Sequence, residues 1–129
     1  MTSTEDSVLE LTRMMREYEA ANNSRVLDRV LAHISPEASY WFSDGSYYGH
    51  EEIRVALQNT FDTIQNEVYS IHDLAWVTVK SDIAVCRYHF SWIGLINGQP
   101  RSGTGRGTNV LVRHKSGWLI EHEQLTSDG

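Results

Sequence analysis

The sequence GTGRGTNVLVRHKSGWLIEHEQLT, residues 103–126, predicts two neighbouring β-strands and the turn that joins them. Apolar side chains recur at every second position on both sides of the turn, as at Trp118 and Ile120. A period of two is typical of strands that bury one face and expose the other. The polar break at residues 115–117 ends in Gly117, which can adopt the positive φ of a hairpin turn. The stretch therefore predicts a β-hairpin.

The same alternation predicts a row of side chains that point into a common interior. Arg106, His122 and Gln124 belong to this row, and each must find a hydrogen-bond partner when it is buried. A plain hydrophobic core would not normally include such groups, whereas a pocket for a small molecule would. The alternative is that the polar members lie at the solvated ends of the strands. The full predicted row is Arg106, Thr108, Val110, Trp118, Ile120, His122 and Gln124.

Length and composition limit the classes of protein that fit. The chain has 129 residues, and we predict a single domain over residues 1–129. Hydrophobic residues at 40% and charged residues at 22% are ordinary for a soluble globular protein. The net charge of −6 argues against a nucleic-acid partner. No run approaches the roughly 18 apolar residues of a membrane span, and the chain does not open with a secretion signal. We therefore expect a cytoplasmic protein that binds neither nucleic acid nor membranes.

The single cysteine, Cys86, cannot form a disulfide within the chain, which is compatible with a reducing compartment. It lies within a stretch of alternating apolar residues. We interpret Cys86 as a small core residue rather than as a nucleophile.

Three amphipathic helices are predicted in the first half of the chain. Hydroxyl and acidic residues from Ser3 to Asp6 favour the start of the first helix, which residues 22–23 end. A second helix follows, with Ile34 on its apolar side and Pro36 as its stop. Gly49 and the acids after it open a third. These helices are expected to cover a sheet rather than to carry catalytic groups.

Strands are predicted over most of the second half. A short aromatic strand at residues 38–43 precedes the third helix, and longer strands run from Val68 to Lys80 and over Ile83–Gly94. Asn97-Gly98 is a strong hairpin signal. Within Ile83–Gly94 the odd positions form a mixed face that would suit contact with another subunit. The even positions are more aromatic and are assigned to the interior: Ala84, Cys86, Tyr88, Phe90 and Trp92.

Residues 105–126 resemble the last two strands of SnoaL-like proteins in the nuclear transport factor two and ketosteroid isomerase superfamily. Those strands follow the pattern Gly-Arg-x-Thr-x-Val, a short turn with Gly-Trp, and a hydrophobic–His–acidic–His–Ser tail. Gln124 stands where the second His is common, and Thr126 where Ser is usual. Residues 40–57, YWFSDGSYYGHEEIRVAL, also resemble this family. The matching positions in the last two strands are Gly105, Arg106, Thr108, Val110, Gly117, Trp118, Ile120, His122 and Glu123.

The resemblance implies an α+β fold in which a cone-shaped, curved antiparallel sheet wraps around N-terminal helices and leaves a conical hollow. Proteins of this family commonly dimerise through the open face of the sheet, so a homodimer is expected. The fold hosts isomerases, dehydratases, cyclases, hydrolases and proteins without enzymatic activity, and it does not by itself indicate one chemistry.

Proton transfer in such a hollow needs a base and a group that stabilises a developing oxyanion. The predicted catalytic residues are His122 as the acid or base, Arg106 as a clamp for an anion or carbonyl, and Asp44 as a further base. An unperturbed His has a pKa of about 6.5 and can act in either direction at neutral pH. Alternatively, His122 bonds a strand neighbour, Arg106 pairs with Asp44, and Asp44 is a turn residue. Further candidate bases are His72, Asp73 and His89.

Aromatic and polar side chains are expected to line the pocket. Neither a cofactor nor a metal is predicted, because His114 should face outward and does not complete a ligand set with His122 and Gln124. The Gly-rich run at residues 103–107 lacks the strand–loop–helix context of a nucleotide site. The residues predicted to bind the substrate are Tyr40, Phe42, Tyr47, Tyr88, Trp92, Trp118 and Gln124.

Three functions remain open from the sequence. The first is a cofactor-free enzyme that isomerises, dehydrates or cyclises a small hydrophobic, ring-containing or polyketide-like molecule by proton transfer. The second is a module that binds such a ligand without changing it, or that serves as an association element. The third is a dimer whose pocket is vestigial.

Overall fold

The computed structural model describes residues 4–129, so Ser3 of the predicted helix start lies outside the described part. Within residues 4–129, three helices precede or interrupt a run of six strands. In chain order the elements are α1 (Thr4–Ser24), α2 (Leu27–Leu31), β1 (Ile34–Phe42), β2 (Gly45–Tyr48), α3 (Gly49–Thr63), β3 (Gln65–Val79), β4 (Ile83–Ile96), β5 (Gln99–His114) and β6 (Gly117–Ser127).

The six strands form one curved, unclosed sheet in the order β2-β1-β6-β5-β4-β3. Its curvature around the helices confirms the predicted α+β cone fold. One pairing differs from the predicted antiparallel sheet, because β1 and β6 run parallel. After β1 the chain forms β2, α3, β3, β4 and β5, and β6 then returns beside β1 in the same direction. Strand β6 therefore joins the β2-β1 pair to the β5-β4-β3 part of the sheet.

Helices α1 and α3 pack on the inner face of the sheet. The buried residues of α1 follow the helical repeat, and those of α3 are Ile53, Ala56 and Leu57. The buried residues of α1 are Ser7, Leu11, Met14, Met15, Tyr18 and Ala21.

No helix of the described chain is long and apolar enough to cross a bilayer.

Side chains of α1 occupy the free edge of the sheet at β3. Asn23 accepts a hydrogen bond from the Tyr69 N–H at 2.7 Å and donates to the Tyr69 carbonyl at 2.8 Å. Glu19 accepts from the Ile71 N–H at 2.6 Å, and Arg16 donates to the Ile71 carbonyl at 2.8 Å. Backbone groups of β3 thus receive the partners that a further strand would otherwise supply.

The second helix is shorter than predicted. It ends at Leu31, and Ile34 is the first residue of β1 rather than part of the apolar side of a helix. Ile34 is buried opposite Ile120 of β6, and this sheet contact outweighs the helical pattern. Pro36 lies inside β1, within the irregular pairing between Ile34 and Ser39, where its missing N–H is tolerated.

The turn predictions are confirmed by the backbone. Asn97 and Gly98 have φ values of 52° and 77° in the β4–β5 hairpin, and Gly117 has φ 123° in the β5–β6 hairpin. Tyr47 and Tyr48 form part of the short strand β2, which pairs with β1. The third helix begins at Gly49 as predicted.

Candidate functional site

A cavity of about 350 Å³ lies between α1, α3 and the inner face of the sheet. Its walls are mainly aromatic and aliphatic, and its polar residues include Asn22 and Thr60. Glu123 of β6 also lines it. This volume suits a molecule of one or two rings. The lining residues are Tyr18, Asn22, Phe42, Ser43, Asp44, Leu57, Thr60, Phe61, Ile64, Glu67, Tyr69, Phe90, Trp92, Glu123, Leu125 and Ser127.

Aromatic side chains of β4 lie across glycines of β5. Phe90 is opposite Gly105, and Tyr88 is opposite Gly107. A Cβ atom added to Gly105 would lie 2.4 Å from Phe90 Cζ, and one on Gly107 would lie 2.5 Å from Tyr88 Cε2. The alternating glycines therefore make room for the rings that form this part of the inner face.

Glu123 is 3% exposed and is held by neutral hydrogen-bond donors. Its Oε1 atom accepts from the Tyr18 hydroxyl at 2.9 Å and from the Asn109 amide at 3.2 Å. The Tyr88 hydroxyl is 3.5 Å from the same oxygen and donates to Asn109 Oδ1 at 2.8 Å. The Tyr40 hydroxyl lies 2.8 Å from that of Tyr18 and completes the network.

Burial raises the pKa of Glu123 from 4.5 to about 7. The loss of hydration disfavours the carboxylate, whereas the hydrogen bonds from Tyr18, Asn109 and Tyr88 favour it and only partly offset the burial. A carboxyl group with a pKa near neutrality can both accept and return a proton under physiological conditions.

Because of this pKa, Glu123 should make the free energy of unfolding fall as the pH rises. Between about 4.5 and about 7, the folded protein keeps a proton that the unfolded chain has lost. The stabilisation is complete below the unfolded pKa, and about 3 kcal/mol is lost as the pH passes through the folded pKa. Denaturant unfolding at about pH 5 and about pH 8 should show this loss in the wild type relative to Glu123→Gln. An equal change in both proteins would contradict a raised pKa.

Two of the predicted catalytic residues lie on the other face of the sheet. Arg106 is exposed, because the inward residues of β5 are at odd positions, including Asn109 and Leu111, and not at Arg106, Thr108 and Val110. His122 faces outward as well, where its Nδ1 atom bonds the Ser39 hydroxyl at 2.7 Å.

A β-bulge in β6 explains the position of His122. Val110 pairs with His122, but the next residue of β5, Leu111, pairs with Ile120, so β6 has one extra residue at Glu121. Trp118 and Ile120 point inward as predicted, and the extra residue then reverses the alternation. Glu123 and Leu125 consequently face the cavity in place of His122 and Gln124.

The other predicted site residues lie in the cavity wall, in the network around Glu123, in the core away from the cavity, and on the outer face of the sheet. Phe42, Trp92 and Asp44 line the cavity, where Asp44 lies at the exposed rim and accepts a 3.3 Å hydrogen bond from Tyr47. Tyr40 and Tyr88 do not line it but belong to the network that holds Glu123. Trp118 is buried away from the cavity beneath the guanidinium of Arg113, and Gln124 bonds Thr126 on the outer face.

The outer face also holds the other candidate bases. His89 Nδ1 is 3.2 Å from Asp73 Oδ2, and His72 Nε2 is 2.8 Å from the Ser91 hydroxyl. Apolar side chains are exposed on the sheet as well, with Trp41 at 48% and Ile93 at 59%. Association of two copies through this face stays a prediction.

Cys86 is fully buried in the core, in agreement with its interpretation from the sequence. Burial raises the pKa of its thiol to about 12, which keeps the sulfur protonated and unreactive at neutral pH. Within residues 4–129, no three His, Cys, Asp or Glu side chains converge on a point that could hold a metal ion.

The fold and the cavity define a protein of the SnoaL-like type, and the chain belongs to the SnoaL-like domain family, whose model matches residues 11–126. No curated protein is matched by the sequence. The structure is similar to that of an NTF2-like superfamily protein from Salmonella enterica serovar Typhimurium. The TM-score is 0.91 and the identity 21%, over 98% of this chain and 94% of that chain.

Two further solved structures share the fold. A ketosteroid isomerase-like protein from Erwinia carotovora atroseptica has a TM-score of 0.80 at 15% identity, over 94% of this chain and 95% of that chain. A type 2 hexachlorocyclohexane dehydrochlorinase has a TM-score of 0.85 at 14% identity, over 95% and 86%. At these identities the likeness establishes the fold alone.

Proposed function

We propose that the cavity binds a small, mainly apolar ring compound and that Glu123 transfers a proton to or from it. The observation that carries this proposal is a buried carboxyl group in the cavity wall with a pKa of about 7. Tyr18 and Asn109 hold its Oε1 atom, and within the described residues its Oε2 atom has no hydrogen-bond partner. One oxygen is thus fixed, and the other is free to meet a substrate.

The reaction would begin with the Glu123 carboxylate and a C–H group next to a carbonyl. The C–H bond breaks, an O–H bond forms on Glu123, and the electron pair moves to the carbonyl oxygen as an enolate. Return of the proton to another carbon gives an isomer. Alternatively, the electron pair expels a leaving group from the neighbouring carbon, and the product is an alkene. Both routes are cofactor-free acid–base chemistry.

Tyr69 is the group that we propose to stabilise the enolate. It lines the cavity, and burial together with the nearby Glu123 raises its pKa well above the ordinary value of 10. Its hydroxyl therefore stays protonated and can donate a hydrogen bond to an oxygen that gains negative charge. The hydroxyl of Tyr18 is already engaged with Glu123 and Tyr40.

Elimination of nitrobenzisoxazole tests the proposal, because this neutral planar bicycle needs only the loss of one proton. The base takes the proton from carbon, a nitrile forms, and the N–O bond breaks to give a coloured phenolate. The rate with the wild-type protein should rise with pH through an apparent pKa of about 7 and then level off. A rate equal to that of buffer at every pH would contradict proton abstraction in the cavity.

A non-catalytic ligand-binding module is the second candidate. The observation that favours it is the network around Glu123, since Tyr18, Asn109 and Tyr88 satisfy its Oε1 atom without any substrate. In that case ring compounds would raise the melting temperature and be recovered unchanged after long incubation, and nitrobenzisoxazole would bind without elimination.

A further inference from the structure

The charged residues that line the cavity are all acidic. Asp44, Glu67 and Glu123 line the cavity, and among the lining residues that the structure describes none is Lys, Arg or His. An anionic ligand would therefore lose its hydration without gaining an ion pair from the walls, while a cationic ligand would meet carboxylates.

Arg25 forms an ion pair with one of these acids but does not itself line the cavity. Its Nη1 atom is 3.7 Å from Glu67 Oε1, and its guanidinium donates hydrogen bonds to the carbonyls of Phe61 and Ile64. It also lies 4.9 Å from the ring centroid of Phe61. Arg25 therefore balances the charge of Glu67 and lies outside the set of residues that line the cavity.

The other two carboxyl groups have neutral partners. Asp44 accepts from the hydroxyl of Tyr47, and Glu123 accepts from hydroxyl and amide groups. Glu123 is more than nine-tenths buried and lines the cavity, and the hydrogen bonds that it receives within residues 4–129 all reach its Oε1 atom. The cavity therefore presents two carboxyl groups that no cation among the described residues balances, and Glu123 contributes its negative charge when it is deprotonated.

The aromatic side chains in the cavity wall also favour a positively charged ligand. The faces of aromatic rings carry negative electrostatic potential and attract ammonium groups, more strongly when water is excluded. Six aromatic residues line the cavity, namely Tyr18, Phe42, Phe61, Tyr69, Phe90 and Trp92.

We infer that the cavity selects a ring compound with a protonated amine over a neutral or carboxylate analogue of the same shape. The inference rests on the proposed use of the cavity as a small-molecule site. It also fits the proposed chemistry, because the positive charge of the ligand would offset the negative charge that develops when a proton is removed. The part of the cavity wall that residues 4–129 form contains no cation to do this.

Three naphthalene probes of nearly equal shape test the inference: naphthylmethylamine, naphthylmethanol and naphthoate. Their dissociation constants are measured at neutral pH by titration calorimetry. The amine is expected to bind about tenfold more tightly than the alcohol, and naphthoate more weakly than the alcohol. Naphthoate binding as tightly as the amine would overturn the inference.

Two substitutions test whether the preference for the amine arises from the acidic residues of the cavity. Glu67→Gln leaves the charge of Arg25 unbalanced, and we expect it to lower the ratio of amine to alcohol affinity about tenfold and to strengthen naphthoate binding. Asp44→Asn, at the exposed rim, should lower the ratio about threefold without affecting folding. Asp73→Asn removes the same charge on the outer face and is the matched control. The inference is wrong if both cavity variants keep the wild-type ratio.

The probes also separate this inference from the proposed function. Elimination that depends on Glu123 without an amine preference would overturn the ligand class and leave proton transfer standing. An amine preference without elimination would overturn proton transfer and leave the ligand class standing. If none of the three probes binds, the ligand class is overturned, and the elimination assay alone decides whether proton transfer stands.

Discussion

Glu123→Gln is expected to slow the elimination of nitrobenzisoxazole by at least about 100-fold, which is the lower end of the usual contribution of a general base. The amide has nearly the shape of the carboxyl group but cannot take up a proton. Its oxygen can still accept from Tyr18 and Asn109, which bond Oε1 in the wild type. Because the buried charge is lost, the variant should be at least as stable as the wild type at about pH 8.

Substitution of the adjacent residue, His122→Gln, tests whether the proton-transfer group lies on the inner or the outer face of the sheet. The sequence predicted His122 as the acid or base, whereas its ring bonds Ser39 and lies 5.4 Å from the Trp41 ring on the outer face. Elimination rates are compared under identical conditions, with melting temperatures as the control for folding. Wild-type turnover in Glu123→Gln together with a large loss in His122→Gln would contradict the proposal and favour a site on the outer face.

Gly105→Ala is expected to destabilise the protein by about 2–3 kcal/mol, because it overpacks the inner face of the sheet. The added Cβ would lie 2.3 Å from the Thr126 carbonyl oxygen and 2.4 Å from Phe90 Cζ. A backbone oxygen on a paired strand cannot turn aside as a flexible side chain can, so β5 and β6 must separate locally. Denaturant unfolding monitored by tryptophan fluorescence would measure the loss.

Gly45→Ala is the matched control for that substitution. Gly45 lies in the edge strand β2 without a positive φ, and the nearest atom to an added Cβ is the Tyr47 hydroxyl at 3.3 Å. Its stability should change by less than about 0.5 kcal/mol. If both variants lose equal stability, the cost arises from the general substitution of a strand glycine and not from the ring across Gly105.

Local signals in the sequence were sufficient for most of the fold. Gly117 and the pair Asn97-Gly98 have the positive φ values that their hairpins require, and the third helix begins at Gly49. These features depend on residues close in sequence. The parallel pairing of β1 with β6 depends on residues more than 80 positions apart, such as Ser39 and His122, and no local pattern indicates it.

The site was predicted less well because one extra residue in β6 changes which of the following side chains face inward. The bulge at Glu121 follows from the pairing with β5, and no local signal in β6 marks it. In β5 the run at residues 110–112 is apolar on both faces, so its alternation is ambiguous. The alternating glycines at 103, 105 and 107 were the available signal, because such a row suits a face covered by rings from β4.

The β3 edge of the sheet, where side chains of α1 bond the strand backbone, limits how this protein can assemble. A strand with free backbone groups invites another chain to extend the sheet, which is a route to aggregation. Here Asn23, Glu19 and Arg16 already fill part of the β3 edge, and three register shifts interrupt its pairing with β4. The opposite edge, β2, offers only four residues. These features disfavour edge-to-edge polymerisation of copies of this protein. Because helices α1 and α3 cover the inner face, the outer face of the sheet is the broad surface that stays available for specific association.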